Sequence, residues 1–338
     1  MATTLVWTAA DNTAPINVSA IDNGNNSQSV LVTLLKNSFL KNGEPSTVFM
    51  RFGQPAVSQD GYKSVTRPRL NPMKTTLSQA MIAYEGNTPD PHDNTITTIV
   101  AEPVQLGDWT MITDLLNMET LLPIISAQGE EMGNNAGRII DEYIQSVLES
   151  DNTIWEILAG SAASREALTA SDTMDFDLLL KAITFLTAQG QGGEKFKVIM
   201  HPNTFRDFCA SSSTNTWLNK LIYEDYKWIK DGFVTSMENF DIYISANVKS
   251  FTVTPASPWT PFKVYPTYAF RSGAYGVSSL DTLEMIYKPY GSAGTADPLN
   301  QRATIWWKCA YGCAVLNPFF IVRMVSRSST NYEWQTSI

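Results

Sequence analysis

The chain has 338 residues, of which 43% are hydrophobic and 17% charged, and its formal net charge is -9. Its length exceeds the usual size of one hydrophobic core, so we expect one large multi-lobed domain or two domains. The charged fraction is below the typical value of about a quarter; contacts between subunits would explain the deficit, because their centres exclude charge. The acidic balance excludes attraction to nucleic acid or an acidic membrane through the overall field.

The sequence shows no pattern typical of secretion, of a membrane span or of disulfide bonding. Residues 1–10 show no secretory signal, and no uncharged apolar run of about 18 residues occurs. The cysteines are too few, and odd in number, for a disulfide framework; they are Cys209, Cys309 and Cys313. We therefore expect synthesis in the cytoplasm, free thiols and no membrane span.

The amino-terminal region divides into an arm and a short helix. Residues 1–30 are rich in Asn, Ser, Thr and Asp, which indicates an extended or partly disordered arm. Val30–Leu40 follows with leucines and a phenylalanine at helical spacing, and Asn42-Gly43 ends the predicted helix.

Two β-rich stretches come next. The first covers Thr47–Phe52 and resumes over Tyr62–Leu70, and the second covers Thr95–Thr113. The proline-containing segment Asn71–Asn94 between them is a predicted loop. A two-stranded projection of this kind is only marginally stable alone, so we expect a neighbouring subunit to pack on it. The densest basic cluster lies here, with a solvated loop as its more ordinary explanation; it comprises Lys63, Arg67, Arg69 and Lys74.

The middle of the chain mixes helices and strands. Apolar residues at helical spacing predict a long helix over Gln128–Ser150 and a second over Asp175–Ala188. The acidic residues of the long helix are expected on its solvated side; they are Glu130, Glu131, Asp141 and Glu142. The remaining predicted elements are a strand over Phe196–Met200, helices over Thr204–Ser211 and Trp217–Tyr226, and a strand over Phe240–Ser245.

The last third is predicted to be β-rich. Strands are expected over Thr282–Lys288, Ala303–Tyr311 and Phe319–Val325, with a turn-forming loop over Pro289–Pro298. Irregular connections are expected at four earlier prolines, which are Pro255, Pro258, Pro261 and Pro266.

No motif for catalysis or metal binding is present in the sequence. Of the two histidines, His92 lies in a predicted loop and His201 in a predicted turn. The spacing of Cys309 and Cys313 fits neither a redox pair nor a zinc site. Gly190–Gly193 follows a predicted helix and precedes a predicted strand, whereas a phosphate-binding loop follows a strand and precedes a helix. We therefore predict no catalytic, cofactor-binding or metal-binding residue, and no cofactor.

The order of elements and four local segments resemble one family. Arm, β projection, long helix, mixed lobe and returning strands follow one another as in the Hong Kong 97-like fold of tailed-phage and herpesvirus capsid proteins. The segments similar to the branch related to phage N-four are Tyr84–Pro89, Val104–Trp109 leading into Ile112–Asp114, Lys197–Pro202, and Gly291–Arg302 followed by Trp307-Lys308. The similarity runs from about residue 44 to residue 325.

The resemblance implies an α+β capsid fold and a division of the chain. The implied parts are an N-terminal arm (1–43), an E-loop region with flanking strands (44–112), a P-domain with the spine helix (113–150), an A-domain (151–275), and returning P-domain strands with a loop and the carboxyl terminus (276–338).

The resemblance also implies a function. It predicts a major capsid protein, not an enzyme, whose hexamers and pentamers form an icosahedral head in the virion, assembled in the host cytoplasm. Expected partners are further copies, portal, scaffolding or decoration proteins, and packaged double-stranded DNA bound without sequence specificity. Expected interface residues are Arg67, Arg69, Tyr84, Glu85, Asp297 and Arg302. The alternatives are an encapsulin-like nanocompartment shell and, from another class, an enzyme with a cryptic site.

Overall fold

A computed structural model describes most of the chain. The described residues are 35–37, 39, 47–57, 64–71, 95–120, 123–189, 195–211, 233–236, 240–254, 261–292 and 297–330. The predictions for the arm over residues 1–30, the loop from residue 72 to residue 94, His92, Gly190–Gly193 and the helix Trp217–Tyr226 lie outside the described residues.

Among the described residues, the helices with defined bounds are α1 (Phe49–Phe52), α2 (Asp114–Glu119), α3 (Ile124–Ser150), α4 (Phe176–Ala188) and α5 (Pro202–Ala210), with short 3-10 turns at Arg165–Ala167 and Pro318–Phe320. Residues 35–37 and 39, within the predicted helix Val30–Leu40, are helical as well. The strands are β1 (Gln54–Val57), β2 (Val65–Leu70), β3 (Ile96–Ala101), β4 (Val104–Thr113), β5 (Trp155–Leu158), β6 (Phe196–Met200), β7 (Phe233–Ser236), β8 (Phe240–Ile244), β9 (Phe251–Val253), β10 (Phe262–Phe270), β11 (Tyr275–Lys288), β12 (Arg302–Val315) and β13 (Ile321–Ser326).

The first structural unit is a four-stranded sheet packed on the long helix α3. Its strand order is β1-β11-β12-β4, with β12 antiparallel to both β11 and β4 and β1 parallel to β11. Alternate residues of β12, including Ile305 and Trp307, point into a core that they share with Ile140 and Ile144 of α3. The predicted long helix is confirmed, although it begins at Ile124 rather than Gln128.

The second unit is a seven-stranded sheet with the path β5-β13-β10-β6-β8-β7, and β9 pairs with the beginning of β10. Helix α4 packs on β5, β10 and β13, as its amphipathic pattern predicts, and Asp175 caps it by accepting from the Leu178 backbone N–H at 2.9 Å. Strand β13 lies in this sheet between β5 and β10. The expected division of the chain into five parts stays a prediction.

A charged network joins the end of α3 to the second sheet. Arg165 contacts Glu149 of α3 and Glu156 of β5 at 2.5 Å each. Arg323 of β13 contacts Glu156 at 2.7 Å and donates to the helix-terminal carbonyl of Glu149 at 2.8 Å. Burial raises the pKa of Glu156, but the hydrogen bonds and charges of the two arginines lower it overall. The network therefore satisfies buried charge entirely within one chain.

The expected strand over Thr47–Phe52 is wrong in its second half, because Phe49–Phe52 form helix α1. The Asp141 carboxylate accepts hydrogen bonds from the backbone N–H groups of Val48, Phe49 and Met50 at 2.6, 3.1 and 3.3 Å. Such N–H groups at the start of a helix have no partner inside it. A side chain distant in sequence thus stabilises a helix where the local composition favours a strand.

Asp141 itself corrects a second expectation. It was predicted on the solvated side of the long helix, but it is fully buried, and its carboxylate also accepts from the Asn247 side chain at 3.3 Å. Burial raises the pKa of its carboxyl to about 6, although the hydrogen bonds from Val48, Asn247, Met50 and Phe49 lower it.

Pro266 is a third correction. It lies inside β10 and not in an irregular connection. Strand β9 pairs with β10 up to Val264 and β6 pairs with it from Tyr268, so the proline lies where neither of these two strands is paired with β10. A residue without an N–H donor is tolerated where a ladder is interrupted.

Candidate subunit interface

The hairpin formed by β2 and β3 carries an uncharged outer face. Its outward side chains are all exposed; they are Thr66, Pro68, Leu70, Ile96, Thr98 and Val100. Leu70 and Ile96 lie directly opposite each other and are 60% and 65% exposed. Natural edge strands usually carry charge that blocks pairing with other chains. This face lacks such protection and is suited to contact with another protein surface.

The inner face of the same hairpin contacts the body of its own chain. The Arg67 guanidinium donates to the backbone carbonyl of Pro55 at 2.6 Å, and the Arg69 guanidinium donates to that of Leu316 at 3.1 Å. Both arginines were expected at a subunit interface. The structure gives them contacts within the chain, and a role between subunits stays a prediction.

A second apolar surface crosses the four-stranded sheet on the face opposite α3. Ile286, Trp306 and Trp109 are paired in register across β11, β12 and β4 and form a single row. In the next row, Met111 is paired with Thr304. Trp109 is 65% exposed and Met111 is 43% exposed. Large aromatic side chains exposed on a sheet are typical of interface centres.

Helix α2 follows β4 directly in the chain and adds further exposed apolar side chains. Thr113 caps it by accepting from the Leu116 backbone N–H, and all residues of the helix are described and none is buried. Leu115, Leu116 and Met118 are exposed. Together with Trp109 and Met111 they form what we call the apolar ridge. A single chain leaves the whole ridge in contact with water, at a cost of about 25 cal/mol per Å² of apolar area.

Two further predicted interface residues lie where the loop after β11 leads into β12: Asp297 in the loop and Arg302 as the first residue of β12. Asp297 is buried, and its carboxylate accepts from the backbone N–H of Arg302 at 2.8 Å. Asn300, between them, has a positive φ of 56°. The carboxylate therefore closes a turn inside the chain, while the Arg302 side chain is exposed. Their pairing across subunits stays a prediction. Tyr84 and Glu85 lie outside the described residues.

His201, Cys309 and Cys313, which the sequence singled out, have structural roles within the chain. His201 begins α5, where its Nδ1 accepts from the Asn203 backbone N–H at 3.1 Å. Burial raises the pKa of both Cys309 and Cys313 to about 12, with a contribution from Asp281 at Cys309, so these thiols stay protonated at neutral pH. In the described part of the chain, no three His, Cys, Asp or Glu side chains converge to hold a metal ion. None of the described helices has the length and apolar character of a membrane span.

The apolar ridge and the row of Ile286, Trp306 and Trp109 were not among the sites predicted from the sequence. The available signal was the alternation within Val104–Thr113. There, Ile112 points to the core, so Trp109 and Met111 must point to the other face. The pairing of β4 with β12, which sequence reasoning did not provide, then brings Trp306 beside Trp109.

Comparison with solved structures finds the same architecture in viral shells. The capsid of cyanophage P-SCSP1u is 17% identical with a TM-score of 0.61, covering 84% of this chain and 89% of that chain. The capsid of Ralstonia phage GP4 is 12% identical with a TM-score of 0.62, covering 85% and 93%. A virus-like particle from Pyrococcus furiosus is 11% identical with a TM-score of 0.53, covering 87% and 99%. No protein-family model and no curated protein matches the sequence.

The fold prediction is confirmed by these likenesses. The chain has an α+β fold that is shared with the subunits of these phage capsids. At such low identities the likeness establishes the fold, and function has to be argued from the surfaces of this chain.

Proposed function

We propose that this chain is the major capsid protein of a tailed phage, a structural subunit and not an enzyme. One observation supports this most strongly: a chain with a capsid fold leaves two uncharged or apolar surfaces, the hairpin's outer face and the apolar ridge, uncovered. Exposed apolar patches of this kind mark protein–protein contact. Many weak copies of one contact stabilise a closed symmetric shell.

The proposed shell consists of hexamers and pentamers that enclose double-stranded DNA in the virion, and it is assembled in the host cytoplasm. A net charge of -9 is consistent with DNA that is enclosed and not bound by sequence. Portal, scaffolding or decoration proteins are the further partners. The division into arm, E-loop region, P-domain and A-domain is part of the same proposal.

Negative-stain electron microscopy and sedimentation velocity of the purified protein test this function. Round closed particles, or rings of five and six subunits, are the expected result. A protein that stays monomeric at every concentration, with and without coexpressed phage head proteins, would refute the proposal.

A nanocompartment shell is the second candidate, supported by the likeness to the virus-like particle from Pyrococcus furiosus. The two candidates differ in what the particle contains. Particles isolated from the natural source should hold double-stranded DNA if the protein is a phage capsid. Nuclease-resistant DNA extracted from them supports the first function, whereas a protein cargo without DNA supports the second.

A further inference from the structure

The hairpin of β2 and β3 has no buried core of its own that could hold it at a fixed angle to the rest of the subunit. All residues of both strands are described, and each is either exposed or partly buried. At its root, Val65, Ile99 and Ala101 rest on the four-stranded sheet beside Gly276 and Ala314. A two-stranded hairpin with so little burial is marginally stable, and a single small contact at its root leaves it free to rotate.

Arg67 and Arg69 supply the contacts that remove this freedom. They stand two residues apart, so they share the inner face and are spaced by about 7 Å along the strand. Arg67 donates to the carbonyl of Pro55 in β1, and Arg69 donates to the carbonyl of Leu316 just after β12. Arg69 also donates to the Asn71 side chain, at 3.4 Å.

One accepting carbonyl, that of Pro55, lies in the four-stranded sheet, and the other, that of Leu316, directly follows the last residue of β12. Strand β1 is hydrogen-bonded to β11, which pairs with β12. The Leu316 backbone is held in turn, because its N–H donates to the carbonyl of Ala274 at 2.9 Å. Two separated attachments to one rigid body fix an angle, which one attachment cannot do. A charged donor also makes a stronger hydrogen bond to a carbonyl than a neutral donor does.

We infer that Arg67 and Arg69 are positioning residues that set the direction in which the hairpin leaves the subunit, and that they thereby set the curvature of the assembled shell. The inference rests on the proposed function for its second half. The hairpin's exposed Leu70–Ile96 pair meets a neighbour only where that angle directs it. A small change of angle, repeated at each copy, changes the size of a closed shell or prevents closure.

The test compares the double variant Arg67→Met/Arg69→Met, the conservative variant Arg67→Lys/Arg69→Lys, and the control Arg51→Met, whose side chain is exposed on α1. Methionine keeps the apolar stem and removes the donors. The first readout is amide hydrogen exchange of residues 65–70 and 96–101 in unassembled subunits, with the urea midpoint as the measure of overall stability. The second is the distribution of particle diameters by cryo-electron microscopy.

We expect at least tenfold faster exchange in the hairpin of the methionine variant at an unchanged urea midpoint, and particles of broad or open form. The lysine variant should be intermediate, since lysine offers a single point of donation, and the control should match the parent. Parent-like exchange in the methionine variant would overturn the positioning role. Faster exchange with uniform particles of parental diameter would overturn the link to curvature. If the parent itself forms no particles, the proposed function fails, while the exchange measurement still decides the role of the arginines.

Discussion

The two sheets of this molecule differ in how completely one chain covers them. In the seven-stranded sheet, every residue of β13 is buried, so the chain itself covers both faces of that strand. Among the ten residues of β4, all of them described, only Ile112 is buried, and Trp109 is 65% exposed. The seven-stranded sheet is therefore covered by residues of its own chain. The other sheet is left exposed in a single chain, and it is the surface that the proposed contacts with neighbouring subunits would use.

The polar groups follow the same division. The second sheet satisfies its charges internally through Glu149, Glu156, Arg165 and Arg323. On the hairpin, guanidinium groups hold the inner face and the outer face carries no charge. Substitutions in the first region should therefore change the stability of the subunit, and substitutions on the exposed surfaces should change assembly instead.

The largest expected effect on stability comes from Arg323→Met in the seven-stranded sheet. It removes one of the two arginines that pair with Glu156 and Glu149, together with the donor to the helix-terminal carbonyl of Glu149, which costs about 3–5 kcal/mol of unfolding free energy. Since the pKa of Glu156 is lowered in the fold, the stabilisation is present at neutral pH and is lost as the pH falls through that lowered pKa. Urea unfolding at neutral and acid pH measures both. Lys181→Met, at an exposed pair with Asp177, is the control and should change stability by less than about 0.5 kcal/mol.

Asp141→Asn tests the anchor between α1 and the long helix. Because the folded pKa of Asp141 is about 6 instead of 3.8, the folded protein holds a proton that the unfolded chain releases between these values. The parent should therefore lose up to about 3 kcal/mol of stability as the pH rises from 4 to 6. The asparagine variant should lack this slope. Parallel stability curves for parent and variant over that range would contradict the burial of an ionisable group here.

Gly133→Ala tests the close packing of α3. A β-carbon at Gly133 would lie 2.4 Å from the backbone oxygen of Phe39, which cannot rotate away. We expect a loss of about 1–3 kcal/mol, measured by urea unfolding. Gly129→Ala is the matched control on the same helix, because its β-carbon would meet only the end of the Leu35 side chain, at 3.0 Å. Equal losses at the two positions would show that close approach of the backbone is not the cause.

The smallest effect on the subunit, and a large effect on assembly, is expected for Trp109→Ser. Its side chain is mostly exposed, so the unfolding free energy should change by no more than about 0.5 kcal/mol, while the yield of particles should fall sharply. Trp307→Ser, at a side chain 1% exposed in the core, should instead cost about 3–5 kcal/mol. Normal particle yield from Trp109→Ser would show that the apolar ridge is not part of the subunit interface.

The sequence predicted the long and strongly periodic elements well. Helices α3 and α4 and strand β6 are confirmed, and the segment resemblances led to the correct fold. Of the predicted interface residues, Arg67 and Arg69 are described in contact with their own chain, and Asp297 is buried. The sequence showed that these residues are charged, but it did not show which carbonyl or N–H group each side chain would bind.

Local spacing determined the periodic elements because an apolar stripe repeats every 3.6 residues in a helix and every two in a strand, wherever the element lies. Only the tertiary structure decided the rest. Residues 48–50 begin a helix because Asp141, more than 90 positions away, accepts their N–H groups. The row of Ile286, Trp306 and Trp109 exists because three distant strands pair in one register. Such contacts join residues far apart in the chain, and no local pattern encodes the partner.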